Sequence, residues 1–421
     1  MLLCHRSGID DISRCLAGPV ARMATLAALV PGAPGDHVGH AGAAAVTHLA
    51  PIAAPQVRVV PVGRNPIAMA VDAPLGRIFV VSRPLDATGA PSGSGAVSVL
   101  DAVRGGVVCT FRVGVNPTSI AVDARAHRVF VLNSGRLTQD YMHFPAGSVS
   151  VLDARDPRCL SGQGADHPWP ALHTVAVGYH PYAVTIDERS GHAFVINGNA
   201  LRVLDATSGV LLHTATVPRT SPPLDAMAVD TRRGQVVVTG YEPSGFHLFA
   251  AGSGQLTRTV RVGAHVSPVA VDSQTGRIFV ADQSNEPSAV SVLDAVSGRV
   301  VGMTTAGRFP VKVVVDEMTG RAFVLNGFDN SVTVLDARTG TLLRTSVIGA
   351  SVHDMAIDTV TGRLYVTTAA GITLLDATSG AVLRTVAVGM QPGIVAINAH
   401  TGQVIITNTG RNSVSILDAP R

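Results

Sequence analysis

The amino-acid sequence predicts an all-β fold, and three features of its 421 residues support that prediction. Hydrophobic residues make up 46% of the chain but aromatic residues only 4%, which indicates a core built mainly from aliphatic side chains. The 43 glycines and 25 prolines indicate many turns. From residue 56 onward, short β-branched segments are bounded by Asp, Thr, Ser and Gly, which is the pattern of strands and tight turns.

The best-formed stretch of this pattern contains four predicted strands, A to D. Strand A covers residues 310–316, strand B 319–326 and strand C 331–337, and strand D follows a turn and runs to residue 349. Because the connections between these strands are short, we expect them to pair as an antiparallel meander.

The same unit occurs eight times along the chain. The predicted end of strand A recurs at Asp72, Asp123, Asp187, Asp230, Asp272, Asp316, Asp358 and Asn398. Strand C ends eight times as well, at Asp101, Asp153, Asp205, Ala250, Asp294, Asp336, Asp376 and Asp418. Most of these spacings lie between 40 and 44 residues, which is typical of β-propeller blades. We therefore predict a β-propeller of eight four-stranded blades, with seven blades and a stray unit as the alternative.

The two ends of the repeat predict how the ring closes. The eighth unit stops after its C strand at 413–418, whereas a D-like segment at 57–63 precedes the first unit. One blade built from both termini would remove the open sheet edge that otherwise invites aggregation. The predicted domains are a leader at 1–54 and a single propeller at 55–421.

The strand B segments 130–133, 194–197, 323–326 and 365–368 resemble the tyrosine-valine-threonine-asparagine (YVTN) repeat. The flanking Pro-x-Ala-Val-x-(Val/Ile)-Asp and Ser-Val-x-Val-Leu-Asp-Ala segments fit the same repeat, over about residues 56–419. The chain is thus similar to bacterial and archaeal surface-layer or periplasmic propellers. That resemblance implies an extracytoplasmic location, at the cell surface or secreted, but no single activity, because the repeat describes a scaffold.

Most acidic and basic residues of the repeat are interpreted as structural. Of the 25 aspartates, 14 lie at the ends of strands A and C, where a carboxylate accepts backbone N–H bonds across the following turn. The arginines that recur in strands B and D are expected to be solvated side chains between blades and along the outer edges.

Composition and missing motifs exclude several classes of protein. The net charge of +3 lacks the clustered basic footprint of nucleic-acid binders, and no apolar run reaches the length of a transmembrane helix. Motifs for zinc ribbons, thioredoxin-like pairs, haem attachment, nucleotide binding and α/β-hydrolases are missing. The leader is either a degenerate export signal or a disordered segment. Cys109 and Cys159 are expected to be isolated apolar residues, although they fall in adjacent units and pairing stays open.

Candidate ligand-binding residues lie where the units differ from one another. The B–C connection of the second unit, 134–147, carries Tyr141 and His143, and is either a ligand-binding loop or an insertion that caps the channel. At the openings of the innermost strands, larger polar groups replace the consensus Pro and Ala, at His180, Asp225, His265, Lys312, His353 and Asp354. A long C–D excursion at 155–173 lies on the opposite face.

Three hypotheses for function follow. The first is an extracytoplasmic binding scaffold, monomeric, that recognises a protein, a glycan or a small ligand on its variable face. The second is a propeller-type lactonase or lyase that uses mouth His and Asp residues with a divalent metal. The third, a quinone or haem redox protein, is weakened by the single tryptophan, Trp169, and by the absence of haem motifs. No catalytic residue, cofactor or fixed metal set is predicted from the spacing, although a divalent metal stays possible.

Overall fold

The computed structural model describes residues 56–135, 146–160, 164–179, 181–217, 224–240, 245–263, 265–284, 286–349 and 351–418. Their strands form eight sheets, and each sheet contains four antiparallel repeat strands in the spatial order A, B, C, D. The predicted eight-bladed propeller is confirmed. The predicted leader, 1–54, lies outside the described residues.

The first four blades follow one another along the chain. Blade 1 contains β2 (Pro66–Asp72), β3 (Arg77–Ser82), β4 (Ser94–Asp101) and β5 (Val107–Val115). Blade 2 contains β6 (Pro117–Asp123), β7 (Arg128–Asn133), β8 (Ala146–Asp153) and β10 (His173–Tyr179). Blade 3 contains β11 (Pro181–Asp187), β12 (His192–Asn197), β13 (Ala200–Asp205) and β14 (Leu211–Thr216). Blade 4 contains β15 (Leu224–Asp230), β16 (Gln235–Gly240), β17 (Gly245–Ala250) and β18 (Leu256–Arg261).

The second half repeats this arrangement and closes the ring. Blade 5 contains β19 (Val266–Asp272), β20 (Arg277–Asp282), β21 (Ala289–Asp294) and β22 (Val300–Thr305). Blade 6 contains β23 (Pro310–Asp316), β24 (Arg321–Asn326), β25 (Ser331–Asp336) and β26 (Leu342–Val347). Blade 7 contains β27 (Val352–Asp358), β28 (Arg363–Thr368), β29 (Gly371–Asp376) and β30 (Val382–Val386). Blade 8 contains β31 (Pro392–Ile397), β32 (Val404–Asn408), β33 (Ser413–Leu417) and the N-terminal β1 (Val57–Pro61).

Strand β1 completes the eighth blade as the sequence predicts. It pairs antiparallel with β33, from Val57 opposite Leu417 to Pro61 opposite Ser413. Pro61 is tolerated there because an outermost strand needs no ladder partner on its outer side.

Eight apolar clusters hold the described ring together, and each lies between two neighbouring blades. One equivalent position of the B strands contributes a side chain to each junction with the next blade: Phe79, Phe130, Phe194, Val237, Phe279, Phe323, Tyr365 and Ile405. Val60 of blade 8 shares a cluster with Met69 and Leu100 of blade 1, so the same packing joins the last blade to the first.

Backbone hydrogen bonds between connections define the two faces of the propeller. The D–A connection lies against the B–C connection, as where Gly327 N donates to Phe309 O at 2.8 Å. On the other face the C–D turn lies against the A–B turn, as where Ala337 N donates to Gly320 O at 2.9 Å. We name the first the mouth face and the second the turn face.

The repeated aspartates serve as turn acceptors on the turn face, as predicted. Asp376 Oδ1, for example, accepts from Thr378 N at 3.1 Å and from Ser379 N at 2.7 Å. The expectation that strand B arginines are simply solvated needs correction. Arg77, Arg128, Arg277 and Arg321 form ion pairs with the aspartate that ends strand C of their own blade. Arg128 and Arg277 also donate to carbonyls in the C–D turn of the next blade, which ties the blades together.

The C–D excursion of blade 2 has a structure that the sequence did not predict. It contains a short helix, α1 (Pro157–Leu160), and a strand, β9 (Gly164–Pro170), that pairs in parallel with β5 of blade 1. Blade 1 therefore has five strands instead of four. We call residues 156–160 and 164–172 the strap.

A disulfide fixes the strap to blade 1. Cys109 of β5 and Cys159 of α1 are bonded to each other, with their Cα atoms 5.0 Å apart. The expectation that these cysteines are isolated apolar residues was therefore wrong. They meet because the strap crosses from blade 2 back over the outer edge of blade 1.

Within the described residues, no helix has the length and apolarity that a membrane crossing would need.

Candidate functional site

The mouth face is built from the residues that precede and open each innermost strand. In five blades the residue just before strand A has a left-handed backbone: Asn65, Asn116, Phe309, Ser351 and Gln391, with φ between 50° and 54°. Asn adopts the left-handed conformation at little energetic cost, whereas a bulky aromatic residue rarely adopts it. The residues that follow open the innermost strands, so departures from the repeat at these positions change the chemistry of the mouth face.

Lys312 and Asp354, both predicted from sequence, form an ion pair between blades 6 and 7. Lys312 Nζ lies 2.5 Å from Asp354 Oδ1, and Asp354 Oδ2 accepts from the backbone N of Val395 in blade 8 at 2.9 Å. The carboxylate is buried, so loss of the Lys312 ammonium would leave a desolvated negative charge. Asp354 thus joins three blades, and its two oxygens are occupied by protein partners.

His353 is next to Asp354 on strand β27, but its side chain is exposed at the mouth. The surrounding protein lowers the pKa of His353, and the carboxylate of Asp354 opposes that shift only in part. The imidazole is therefore mainly neutral at neutral pH and can donate or accept a hydrogen bond.

Two predicted residues, Asp225 of blade 4 and His265 of blade 5, are grouped with Tyr182 of blade 3, which was not among the predicted residues. Burial, together with the charge of the nearby Asp225, raises the pKa of Tyr182 to about 12, so that its phenol stays protonated. Burial lowers the pKa of His265, while the carboxylates of Asp225 and Asp282 act in the opposite direction. The backbone N of His265 also donates to Asp282 Oδ1 at 3.4 Å.

Three predicted residues cannot be placed. Tyr141, His143 and His180 lie outside the described residues. The remaining five fall into two groups, Asp225 with His265, and Lys312 with His353 and Asp354. Within the described ranges, no three His, Cys, Asp or Glu side chains are grouped so that they could hold a metal ion.

The structure also reveals an aromatic pair that sequence reasoning did not assemble. Phe309 before strand A of blade 6 and Phe328 in the B–C turn of the same blade are stacked, with ring centroids 4.6 Å apart and planes 13° apart. The Arg308 guanidinium lies 5.9 Å from the Phe328 ring centroid and pairs with Glu286 of blade 5 at 3.0 and 3.1 Å. We call Phe309, Phe328, Arg308 and Glu286 the aromatic platform.

The signal that could have found this platform is the scarcity of exposed aromatic residues. Eight of the eleven phenylalanines are buried. Phe309 and Phe328 are the two described phenylalanines that are not, and Phe328 is 55% exposed. A turn phenylalanine in a chain so poor in aromatics is therefore unusual.

Comparisons with known proteins identify the fold and no family. No family model and no curated protein sequence matches the chain. Among solved structures, 1581 chains match, so the architecture is too common to select a function. One is BamB from Moraxella catarrhalis, with a TM-score of 0.60 and 14% sequence identity, covering 87% of this chain and 100% of that one. At this identity the likeness concerns the β-propeller scaffold alone.

Proposed function

We propose that the protein is an extracytoplasmic β-propeller scaffold that docks a protein partner on its mouth face. The observation that carries this proposal is the aromatic platform of blade 6. Protein–protein hot spots are enriched in aromatic and arginine side chains, and a stacked pair beside an arginine, with Phe309 half-buried and Phe328 exposed, has that composition.

The backbone of Phe309 supports a functional reading of the platform. Its φ of 54° is one that a bulky residue adopts at a cost of about 1 kcal/mol or more, while the equivalent Asn65 and Asn116 adopt it readily. Two phenylalanine rings can stack while both are buried, so the stacking alone does not explain why Phe328 is exposed. The strained Phe309 supports the exposed ring of Phe328, and a partner that covers that ring would explain why the strain is kept.

The extracytoplasmic part of the proposal rests on the strap. Disulfides persist in oxidising compartments and are rare in the cytosol of ordinary bacteria. Cys109 and Cys159 are both buried, as in a structural disulfide. The resemblance to surface-layer and periplasmic propellers points to the same compartment.

Among the possible ligands, the platform favours a protein. A glycan is usually bound by hydroxyl-directed polar groups around an aromatic ring, whereas the polar groups here, Arg308 and Glu286, already bind each other. The lactonase or lyase hypothesis needs the acidic and histidine side chains of the mouth to converge. Instead, Asp354 is bound by Lys312 and by the backbone of blade 8.

Site-specific photocrosslinking tests this proposal. Phe328→p-benzoylphenylalanine places the crosslinker on the platform, and Met318→p-benzoylphenylalanine places it on a turn-face residue that is at least as exposed. We expect a crosslinked polypeptide from the extracytoplasmic fraction at position 328 and not at position 318.

The crosslinked partner, once purified, allows a quantitative test. Phe328→Ala should raise its Kd about tenfold or more, because truncating a hot-spot aromatic costs roughly 2 kcal/mol or more, while Met318→Ala should leave it unchanged. The fold should tolerate both changes since both side chains are exposed. Equal crosslinking at both positions, or an unchanged Kd for Phe328→Ala, would refute the proposal.

A further inference from the structure

Asp225 differs from all other acidic residues whose side chains the structure describes. Each of the others accepts at least one hydrogen bond or forms an ion pair within the chain. The Asp225 carboxylate has no such partner among these residues, although its surroundings leave it only partly exposed. This combination is unusual because a partly desolvated carboxylate is costly unless it is paired.

The position of Asp225 directs this carboxylate to the channel mouth. It is the second residue of β15, the innermost strand of blade 4, and Tyr182 is the second residue of β11 in blade 3. The Tyr182 side chain is 38% exposed. Strands β11 and β15 lie side by side as the innermost strands of neighbouring blades, and the two residues hold the same position in them. The charge of Asp225 also contributes to the raised pKa of the Tyr182 phenol.

Nearby basic groups do not neutralise Asp225. His265 of blade 5 is close enough to sense its charge, but burial keeps the imidazole mainly neutral at neutral pH. Lys312, the single lysine of the chain, is bound to Asp354. Among the described residues, the Asp225 carboxylate is therefore an acidic group without a hydrogen bond or ion pair, and it lies in the strand next to an accessible aromatic ring.

We propose that Asp225 and Tyr182 form a binding site for an organic cation, namely a lysine or arginine side chain that the docked partner presents to the channel mouth. An ammonium or guanidinium group can pair with the carboxylate while its alkyl stem and charge lie against the tyrosine ring. This inference rests on the proposed docking function and names the chemistry of one contact, on blades 3 and 4, separate from the platform on blade 6.

Ligand-observed NMR with small probes tests the cation site without the partner. The probe is n-butylammonium at millimolar concentration, and neutral 1-butanol is the matched control. We expect saturation transfer from the wild-type protein to n-butylammonium and little to 1-butanol. Asp225→Asn should reduce the transfer to n-butylammonium about tenfold, and Tyr182→Leu should weaken it.

Asp86→Asn is the matched protein control. Asp86 lies in a B–C connection of the same face and accepts from Thr88 N and Ala90 N, bonds that an asparagine oxygen also accepts. The Asp86→Asn substitution removes one negative charge from the mouth face, as Asp225→Asn does, and should leave probe binding unchanged. Absence of transfer to the wild type, or equal transfer to Asp225→Asn, would overturn the inference.

Thermal unfolding separates a binding role from a structural one. Because Asp225 holds no described partner, Asp225→Asn should keep or raise the Tm, and a clear fall would show that the carboxylate stabilises the fold instead. The crosslinking at position 328 reports on the platform independently. Failure of the cation site alone would leave that crosslink intact, whereas failure of the docking function would abolish it.

Discussion

His247 lies on strand β17 at a position where the other blades place Ser98, Ser150, Arg202, Ser291, Thr333, Thr373 and Ser415. Its ring is buried, Nδ1 lies 3.0 Å from Thr259 Oγ1, and burial lowers its pKa. A small hydroxyl residue at this position would have no charge to lose or gain between neutral and mildly acidic pH. His247 therefore couples the stability of blade 4 to pH.

This coupling predicts that stability falls on acidification. Because the folded pKa of His247 lies below the unfolded value of about 6.5, the unfolded chain binds more protons as pH falls through that value. We expect the urea midpoint to decrease between about pH 7.5 and about pH 5.5, and to decrease less for His247→Thr. His265 and His353, whose pKa values are also lowered, should account for part of the remaining slope. An identical slope in His247→Thr would contradict the assignment.

At the residue scale, the sequence predicted the roles of residues that recur from blade to blade, but not the contacts of residues that occur in one blade. The role of Asp376 follows from its register, because the same turn recurs in blade after blade. Phe328 lies in the B–C turn of blade 6, and nothing in the sequence places it on Phe309. The partners of Asp354 were also unpredictable, since its contacts with Lys312 and Val395 depend on how neighbouring blades are packed.

Among the elements of the fold, the strap adds the most to the repeat. Trp169, the single tryptophan, packs against the cluster between blades 1 and 2, and the Arg158 guanidinium lies 4.8 Å from the centroid of its ring. Asp156 pairs with Arg158 and holds it in place. Strand β9 covers the outer edge of β5 and limits the pairing of that edge with other chains.

The strap predicts a local unfolding step when its disulfide is removed. Cys109→Ala with Cys159→Ala should cost about 2–4 kcal/mol, because the cross-link no longer restricts the unfolded chain. Trp169 fluorescence reports on the strap, while far-UV circular dichroism reports on the sheets. We expect the two signals to coincide during urea unfolding of the wild type. In the double variant the fluorescence should change at lower urea, and coincident transitions there would show that the strap does not depend on the bond.

The strap also shows why the sequence could predict the blades but not this element. Strand order within a blade follows from short connections, whereas β9 pairs in parallel with a strand of the preceding blade. Cys109 and Cys159 are separated by 50 residues, and no spacing signature links them. Only the path of the chain across two blades brings them together.

For the whole molecule, the eight junction clusters make each blade depend on its neighbours. The cluster between blades 8 and 1 contains Val60, which belongs to the N-terminal strand β1. Arg58 of the same strand donates to Val103 O of blade 1 at 3.1 Å. Strand β1 thus completes the last blade and also ties it to the first, so the ring is closed by pairing, packing and a side-chain hydrogen bond.

Deleting residues 55–63 should therefore open the ring at its seam. The deletion removes the strand paired with β33, exposes the backbone of an otherwise buried strand at Ser413–Leu417, and takes Val60 out of a junction cluster. We expect a markedly lower Tm and aggregation through the exposed edge, because an unpaired apolar strand is a template for pairing with another chain. Removal of residues 1–50 is the control and should leave the Tm unchanged, since it spares β1. Differential scanning calorimetry with light scattering measures both effects. If the 55–63 deletion kept the wild-type Tm and did not aggregate, closure by β1 would contribute little to the stability of the propeller.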